Sequence, residues 1–306
     1  MSSGPLVRVV VPVFNDAATV EDAVRSVLEQ THRNLELVVV DDGSEDGSAE
    51  RAESSFDERC RLLSRPNGGP AAARNAGVVG SAADFVAFCD ADDVWSPQKL
   101  TLQLRALAED PKAVLAYGWV DLVDTDLSVV VTDRRPRFSG SVWTELAGDN
   151  FIVSGSNVLI RRAAFETVGG FDESLWGAED WELHCRLARL GNVRVVPEVL
   201  VSYRQRPGSL SCDIGQMAQN YRVASAKVFQ SSSDDERALR RSADARYWSY
   251  LAVRATQTGR ARDLVHAPRL LGRALRSSPG EVLNRLRSSA PLRSLWLTMR
   301  ALAGGR

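Results

Sequence analysis

The sequence has no long apolar segment and no recognisable leader. None of its apolar runs reaches the roughly 18 uninterrupted residues that a membrane-spanning helix requires. Residues 1–5 provide neither the basic start nor the apolar stretch of a secretory signal peptide. From these absences we expect a cytoplasmic protein that is at most peripheral at the inner face of the membrane.

Cysteine is scarce, and its four occurrences are far apart. Cys60, Cys89, Cys185 and Cys212 form no Cys-x-x-Cys pair. The spacing therefore argues against a disulfide framework or a cysteine zinc site. It favours reduced thiols that pack as small, partly buried hydrophobic side chains.

The sequence also lacks the glycine motifs of common phosphate-binding folds. The segment after the first apolar run, residues 14–18, contains no glycine, which argues against a Rossmann dehydrogenase. A Walker Gly-Lys-Ser/Thr motif is absent, and so is the glycine-rich loop expected after the first strand of a sugar nucleotidyltransferase. If the chain binds phosphate, it must use other residues.

Charge is distributed unevenly along the chain. The net charge is −1, but residues 251–306 hold eleven arginines against two acidic residues and so carry +9, which leaves −10 on the rest. The hydrophobic fraction of 44% is ordinary for a soluble protein and is large enough to bury a core. We therefore expect an acidic globular region followed by a basic extension.

Three apolar runs rich in β-branched residues predict buried strands at residues 6–13, 35–40 and 84–89. Segments with helical periodicity separate these runs, and the links between elements are short. This alternation predicts an α/β fold with a mostly parallel central sheet, whose ligands bind beyond the carboxyl ends of the strands. From about residue 215 onward the pattern is helical to the end of the chain.

Acidic residues stand at the carboxyl ends of two of these strands. Asp41 and Asp42 follow one strand, and Asp90, Asp92 and Asp93 follow another. The alternate carboxylates of Asp90 and Asp92 could coordinate a hard divalent cation, Mn²⁺ or Mg²⁺, that keeps other positions for phosphate oxygens. The alternative is a solvated acidic turn before the next helix.

A glycine-rich turn at residues 67–69 leads into an alanine-rich helix that carries Arg74. The planar guanidinium of Arg74 would pair well with a phosphate group. The alternative is an ordinary surface arginine, and the residue by itself does not decide between the two.

Five motifs occur in a fixed order along the chain. They are Val11-Pro12-Val13-Phe14-Asn15, Val40-Asp41-Asp42-Gly43-Ser44, Asn67-Gly68-Gly69 with Arg74-Asn75-Ala76-Gly77, Asp90-Ala91-Asp92-Asp93 and Glu179-Asp180-Trp181. Together they closely resemble the inverting family 2 glycosyltransferases of the GT-A fold, over residues 6 to about 212. We therefore predict a GT-A catalytic domain at 1–214, with a nucleotide-binding half (about 6–120) and an acceptor half (about 121–214). An arginine-rich helical extension at 215–306 follows.

The resemblance implies a nucleoside-diphosphate sugar donor, with a UDP-sugar favoured, and gives each motif residue a role. Around the nucleotide it places Pro12, Val13, Asn15, Asp41, Asp42, Arg74, Asp90 and Ala91. Asp42 or Asp41 would hydrogen-bond the base, Arg74 would approach the base and phosphates, and Asp90 would face the ribose. Asp92 would bind the Mn²⁺ or Mg²⁺ ion that bridges the diphosphate.

The resemblance also implies that Asp180 is the catalytic base, with Glu179 beside it positioning the acceptor or the donor sugar. Direct displacement at an anomeric carbon needs a carboxylate that takes the proton of the acceptor hydroxyl, while a metal stabilises the departing diphosphate. Without the other motifs, Glu179 and Asp180 would be ordinary acidic residues in the first turn of a helix. With them, we expect an inverting sugar transfer.

The acceptor is expected to be a saccharide, a glycolipid or a cell-surface polysaccharide. Its pocket should lie around Ser156 and Asn157 and around Trp176 and Trp181, where an aromatic face could stack on a sugar ring. This is a location for the acceptor, and the sequence identifies neither the acceptor nor the transferred sugar.

The sequence departs from the family pattern at Arg206. Many relatives resemble Tyr-Arg-x-His-x-Gly-Ser here, and Arg206 stands where their histidine can reach the metal or the diphosphate. An arginine cannot coordinate a metal as a neutral imidazole does, but it can neutralise phosphate. We expect Arg206 to help stabilise the leaving group, and Arg206→Ala to lower turnover more than Arg204→Ala.

The basic extension at 215–306 combines arginines with apolar residues at helical spacing. It could lie against anionic lipid as a peripheral membrane contact, which would match a lipid-linked acceptor. It could also pack on the catalytic domain or on a homodimer partner. Few aromatic residues stand between its arginines, so nucleic-acid binding is not expected.

Two rival functions use the same nucleotide-binding motifs. One is a non-catalytic nucleotide-sugar-binding protein, which the presence of both Asp92 and Asp180 disfavours. The other is a sugar nucleotidyltransferase, which would release pyrophosphate rather than nucleoside diphosphate.

Overall fold

The structure, a computed structural model, describes residues 4–132, 135–205, 213–257, 261–289, 291–292 and 295–297. These residues divide into two units. The first unit holds the described residues up to 146 and from 150 to 205, and the second holds residues 147–149 and the described residues from 213 onward.

The first unit is organised around one mixed sheet. Its strands are β1 (Val7–Val13), β2 (Leu35–Asp41), β3 (Cys60–Ser64), β4 (Phe85–Phe88), β5 (Val94–Trp95), β6 (Ala113–Val123), β7 (Val129–Thr132), β8 (Val158–Arg161) and β9 (Asn192–Arg204). In the sheet they follow the order β3-β2-β1-β4-β8-β6-β9-β5, with β7 paired to β6. Strands β1 to β4, β6 and β9 share one direction, which confirms the predicted mostly parallel α/β sheet.

Helices connect and cover these strands. They are α1 (Val20–Leu28), α2 (Ser48–Glu53), α3 (Pro70–Val78), α4 (Lys99–Ala108), α5 (Trp143–Gly148), α6 (Arg162–Thr167) and α7 (Glu179–Leu190), and a single 3₁₀ turn, Gly155–Asn157, precedes β8. Helix α3 approaches β1 closely, because a Cβ on Gly77 would stand 2.4 Å from a methyl carbon of Val10. A glycine at this position therefore lets the helix and the sheet meet.

The central strands are buried on both faces, as their continuous apolar runs predict. Arg8 is the charged exception in β1, and it is only 3% exposed. It forms an ion pair with Glu36 at 2.6 Å and donates a hydrogen bond to the carbonyl of Gly77 at 2.8 Å. These partners offset the cost of burying the guanidinium.

Strand β9 contains Pro197, and a bulge interrupts its pairing with β6 there. The pairing of β9 with β6 passes from Val195 opposite Tyr117 to Val199 opposite Trp119. Pro197 lies in the unpaired stretch between these pairs, where its missing N–H costs no ladder hydrogen bond. The strand therefore continues to Arg204, at the edge of the site described below.

The cysteines of the described chain are free thiols. Cys89 and Cys185 are buried and Cys60 is half-buried, as expected of reduced cysteines that pack as small hydrophobic side chains. Cys212 lies outside the described residues.

The second unit is helical, which confirms the predicted helical extension. Its helices are α8 (Ile214–Val228), α9 (Asp234–Gln257), α10 (Ala261–Leu264), α11 (His266–Ser277) and α12 (Pro279–Ser288). Helix α9 packs against the other four. Tyr221 of α8 stacks on Tyr247 of α9 with ring centroids 3.8 Å apart, and Arg246 of α9 pairs with Glu281 of α12 at 2.7 Å. In the described part of the chain, no helix has the length and apolar character to cross a bilayer.

Candidate functional site

The loops that follow β1 and β2 are tied to each other at the carboxyl edge of the sheet. The backbone N–H of Asn15 donates to Ser44 Oγ at 3.1 Å, and Asn15 Oδ1 accepts from the N–H of Glu45 at 2.9 Å. Asp41 Oδ1 accepts from the N–H of Ser44 at 3.0 Å. Two of the predicted nucleotide residues, Asn15 and Asp41, therefore fix the shape of this edge.

The other predicted residues near β1 and β4 differ in exposure. Pro12 is half-buried and Asn15 is exposed, so both can be reached from solvent. Val13 and Ala91 are buried. A nucleotide contact by Val13 or Ala91 would therefore use mainly the backbone.

Asp42 is buried and holds the glycine-rich turn before α3. Its carboxylate accepts from the N–H of Gly68 at 3.1 Å and from the N–H of Gly69 at 2.8 Å, and Arg65 Nε lies 3.4 Å away. Gly69 has a φ of +88°, and a Cβ there would stand 3.2 Å from the ring of Trp176. Asp42, which we predict to contact the base, therefore also fixes the backbone against which the exposed ring of Trp176 packs.

Arg74 joins two carboxylates that are far apart in sequence. Its Nη2 donates to Asp90 Oδ1 at 2.5 Å, and its Nη1 donates to Glu179 Oε1 at 2.6 Å. Burial disfavours the charge of Arg74, but Asp90 and Glu179 raise its pKa and keep it cationic. With a side chain only 5% exposed, Arg74 is not a surface arginine. Its predicted contact with phosphate stays a prediction.

The three carboxylates after β4 have different surroundings. Asp90 carries the ion pair just described. Asp93 is fully buried and accepts from the N–H of Arg204 at 3.2 Å and from Ser154 Oγ at 3.4 Å. Burial, followed by the charge of Asp92, raises the pKa of Asp93 well above its usual range. Burial and the charge of Asp90 raise the pKa of Asp92 to about 6.

The acidic turn, residues 90–93, fits a cation that is bound by few protein ligands. Among the residues that the structure describes, no group of three His, Cys, Asp or Glu side chains could hold a metal ion by itself. A magnesium or manganese ion is commonly bound by one or two carboxylates, while substrate phosphates and water complete its shell. Asp92 suits this arrangement, because a bound cation would favour the ionised form that burial and Asp90 oppose.

Arg204 stabilises the acidic turn through hydrogen bonds, a role that the sequence alone did not indicate. Its side chain is buried, and its Nε donates to the carbonyl of Asp92 at 3.0 Å. Its Nη2 donates to Asp22 Oδ2 at 2.8 Å and its Nη1 to the carbonyl of Thr125 at 2.6 Å. The feature of the sequence that could have indicated this role is a charged residue at the end of a long strand. Arg206 lies outside the described residues.

The 3₁₀ turn before β8 supports the acidic turn from inside the fold. Ser156 Oγ accepts from the N–H of Asp90 at 2.9 Å. Asn157 Oδ1 accepts from the N–H of Gly118 at 3.0 Å, and its Nδ2 donates to the carbonyls of Gly118 and Ile152, both at 2.8 Å. Ser156 and Asn157 therefore stabilise the backbone of the site from inside the fold.

The four residues predicted to line the acceptor pocket thus fall into two groups. Trp181 is buried and donates from Nε1 to the carbonyl of Leu146 at 2.9 Å, so it lies inside the fold together with Ser156 and Asn157. Trp176 is 48% exposed and can offer a face to a sugar ring. For the three internal residues the geometry does not support a direct acceptor contact.

Glu179 and Asp180 form the first turn of α7, directly after a strained residue. Ala178 has a φ of 59°, in the left-handed region that costs a non-glycine residue about 1–3 kcal/mol. This turn places Glu179 against Arg74, and a Cβ on Gly155 would stand 3.6 Å from Asp180 Cβ. Burial and the charge of Glu179 raise the pKa of Asp180 to about 7, although Arg74 opposes the shift.

His184 lies one helical turn beyond Asp180 on α7. It is fully buried, and burial, followed by the charges of Arg74 and Arg186, lowers its pKa to about 3. Asp180 is therefore the group on this face of α7 whose pKa lies close to neutral pH, which suits a general base.

Solved structures share this fold. S. aureus TarS 1-349, in complex with UDP-GlcNAc, is similar with a TM-score of 0.68 and 16% identity, over 96% of this chain and 91% of that one. The mannosyltransferase PcManGT from Pyrobaculum calidifontis, in complex with GDP-Man and Mn²⁺, is similar with a TM-score of 0.62 and 22% identity, over 98% of this chain and 80% of that one. At these identities the likeness shows the fold, which is that of the GT-A glycosyltransferases.

Sequence similarity gives the family. The model described as "Glycosyltransferase like family 2" matches residues 8–255, and the chain belongs to glycosyltransferase family 2. The chain is 32% identical over 207 residues to an uncharacterized glycosyltransferase of Rickettsia prowazekii (strain Madrid E), covering 65% of this chain and 64% of that protein. It thus spans less than two thirds of the length of that relative. The predicted family and fold are confirmed.

Proposed function

We propose that this glycosyltransferase moves a sugar from a nucleoside-diphosphate sugar to a hydroxyl group and inverts the anomeric carbon. The acceptor is a saccharide, a glycolipid or a cell-surface polysaccharide. The observation that carries the proposal is the bridge by Arg74, which holds Asp90 after β4 and Glu179 of α7 in one ionic cluster. The bridge joins the predicted donor side of the site to the helix turn that carries Asp180.

Asp180 takes the proton in the proposed reaction. With a pKa of about 7 it is partly ionised at neutral pH and can accept a proton from a hydroxyl group. The acceptor oxygen forms a bond to the anomeric carbon as the bond from that carbon to the diphosphate oxygen breaks, and the hydroxyl proton passes to Asp180. Attack opposite the leaving group inverts the carbon.

The side chains around Asp180 position it for this step. Glu179 is held by Arg74 at 2.6 Å, so the first turn of α7 keeps one orientation. Gly155, with no side chain, leaves space beside Asp180 Cβ. The exposed ring of Trp176, on the backbone of Gly69, is the aromatic surface offered to a sugar.

Asp92 is the residue that would hold a divalent cation, Mn²⁺ or Mg²⁺, which when bound neutralises charge on the departing diphosphate. The Mn²⁺ in the PcManGT complex supports this proposal. Arg204 and Ser156 fix the backbone of the acidic turn, so Asp92 is held in place before any ligand binds.

The ligands of the solved neighbours support a nucleotide-sugar donor. TarS is in complex with UDP-GlcNAc and PcManGT with GDP-Man, so the shared fold accommodates more than one base. We favour a UDP-sugar for this chain, on the resemblance of its motifs to the family.

A panel of nucleotide sugars, assayed for nucleoside diphosphate release with and without Mn²⁺, tests the proposal. We expect release from a UDP-sugar that increases when Mn²⁺ is added. Release of pyrophosphate would instead identify a nucleotidyltransferase. Binding of a nucleotide sugar without release from any donor would identify a non-catalytic binding protein.

A further inference from the structure

The second unit contains a cavity of about 1360 Å³, lined by α8, α9 and α11. Its lining includes six cationic side chains: Arg222, Lys227, Arg240, Arg269, Arg273 and Arg276. Among the described residues of the lining, Asp244 supplies the one carboxylate. The cavity therefore carries a large excess of positive charge, and the proposed sugar transfer uses none of it.

Asp244 can neutralise at most one of the six positive charges. It accepts hydrogen bonds from the O–H of Tyr221 at 3.0 Å and from the O–H of Ser225 at 3.2 Å. Burial also raises the pKa of Asp244, which disfavours its ionised form. None of the five lining arginines forms an ion pair with a residue that the structure describes.

The arginines of α11 extend over more than one anionic group. Arg269, Arg273 and Arg276 are four and three residues apart, so they lie on one face of the helix. At the helical rise per residue, this stripe spans about 10 Å. The guanidinium carbon of Arg273 lies 5.4 Å from the centroid of the buried Trp248 ring, a contact that restrains this arginine.

We propose that this cavity binds a ligand that carries at least two phosphate groups. Guanidinium groups pair with phosphate through two parallel hydrogen bonds, and a stripe of this length exceeds what a single phosphate needs. Either a soluble polyphosphorylated molecule or neighbouring phospholipid headgroups present this chemistry. Its lining shares no residue with the proposed sugar-transfer site, and the proposal does not depend on the proposed function.

Titration of the full chain with inorganic tripolyphosphate, followed by calorimetry, tests the proposal. We expect saturable binding, and the double variant Arg269→Gln/Arg276→Gln should raise Kd by about tenfold or more. A matched control, Arg241→Gln/Arg287→Gln, removes the same charge from exposed arginines outside the lining. Its Kd should change by less than about twofold, because exposed charges outside the cavity are screened by salt.

Sedimentation of the same three proteins with vesicles of phosphatidylglycerol and phosphatidylcholine separates the two ligand sources. Vesicle binding that the cavity variant loses and the control keeps identifies lipid headgroups. Tripolyphosphate binding without vesicle binding identifies a soluble ligand.

Equal losses in the cavity variant and the control, or no saturable binding of either probe to the unaltered chain, would overturn the proposal. Nucleoside diphosphate release by the cavity variant should match that of the unaltered chain. A failure of the cavity proposal is therefore distinguishable from a failure of the proposed sugar transfer.

Discussion

The arginines of the candidate site in the first unit differ from the cavity arginines of the second unit in burial and in pairing. In the first unit, Arg74 and Arg204 are buried, and each is held by carboxylate or carbonyl partners. In the second unit, arginines such as Arg222 and Arg269 are exposed and line a cavity without forming an ion pair with any described residue. Burial with partners fixes geometry, whereas an exposed arginine that no described carboxylate neutralises keeps its charge available to a ligand.

This difference corresponds to two kinds of task. A reacting centre needs its groups held in one arrangement before the substrate arrives, and the bridge by Arg74 and the brace by Arg204 provide this. A site that only has to attract and hold an anion needs net charge more than a fixed network.

Asp180→Asn should abolish most of the activity. Because an amide cannot accept the hydroxyl proton, we expect kcat to fall by about 10²–10⁴-fold, while the Kd for the nucleotide changes little. Initial rates of nucleoside diphosphate release, together with calorimetric titration of the nucleotide, measure both quantities. A variant that keeps a third or more of the original kcat would remove Asp180 from the role of base.

Arg74→Met and Arg222→Met compare a buried arginine held by two carboxylates with an exposed arginine that forms no ion pair with a described residue. Arg74→Met should lower the free energy of unfolding by about 3 kcal/mol, because it leaves Glu179 and Asp90 buried or half-buried without their partner. Arg222→Met should change it by less than about 0.5 kcal/mol, as exposed substitutions usually do. Urea denaturation measures both. Similar values for the two variants would contradict the contrast between the units.

Arg204→Ala should destabilise the chain by about 2 kcal/mol, because Asp93 and the backbone of the acidic turn lose buried hydrogen-bond partners. It should also lower turnover. The sequence alone favoured a larger loss of turnover for Arg206→Ala. Initial rates of both variants show which substitution lowers turnover more, and thermal melts measure their stability. An unchanged melting temperature for Arg204→Ala would mean that the hydrogen bonds of Arg204 do not stabilise the fold.

The pH profile should report the environment of Asp180. Because the base must be ionised, kcat/KM should rise with pH and level off above an apparent pKa of about 7. Glu179→Gln removes a neighbouring negative charge and should move the rise to lower pH. If kcat/KM is constant between pH 5 and pH 8 for both the unaltered chain and Glu179→Gln, the role of Asp180 as the base is contradicted.

The sequence was sufficient to predict the sheet and the element ends at which the candidate site residues lie. The runs at β1, β2 and β4 are apolar and bounded by polar residues, so both their burial and the location of Asp90 and Asp180 at element ends follow from local pattern. The order of the five motifs then identified the family, which the match over residues 8–255 confirms.

The direction of side chains could not be predicted in the same way. Asn157 and Trp181 lie next to site residues in sequence, yet both turn inward and bind backbone groups. Arg204 contacts Asp22, which is 182 positions away, and Arg74 contacts Glu179 at a separation of 105. Such pairs depend on how the sheet brings distant loops together, and local periodicity contains no information about them.

The most direct test of the account is the anomeric configuration of the first product formed from a UDP-α-sugar. Proton NMR, recorded before the free sugar equilibrates, can detect the anomer released when water or an added acceptor attacks. We expect the β-anomer to form first and Asp180→Asn to prevent its formation. An α-anomer as the first product would contradict direct displacement with Asp180 as the base.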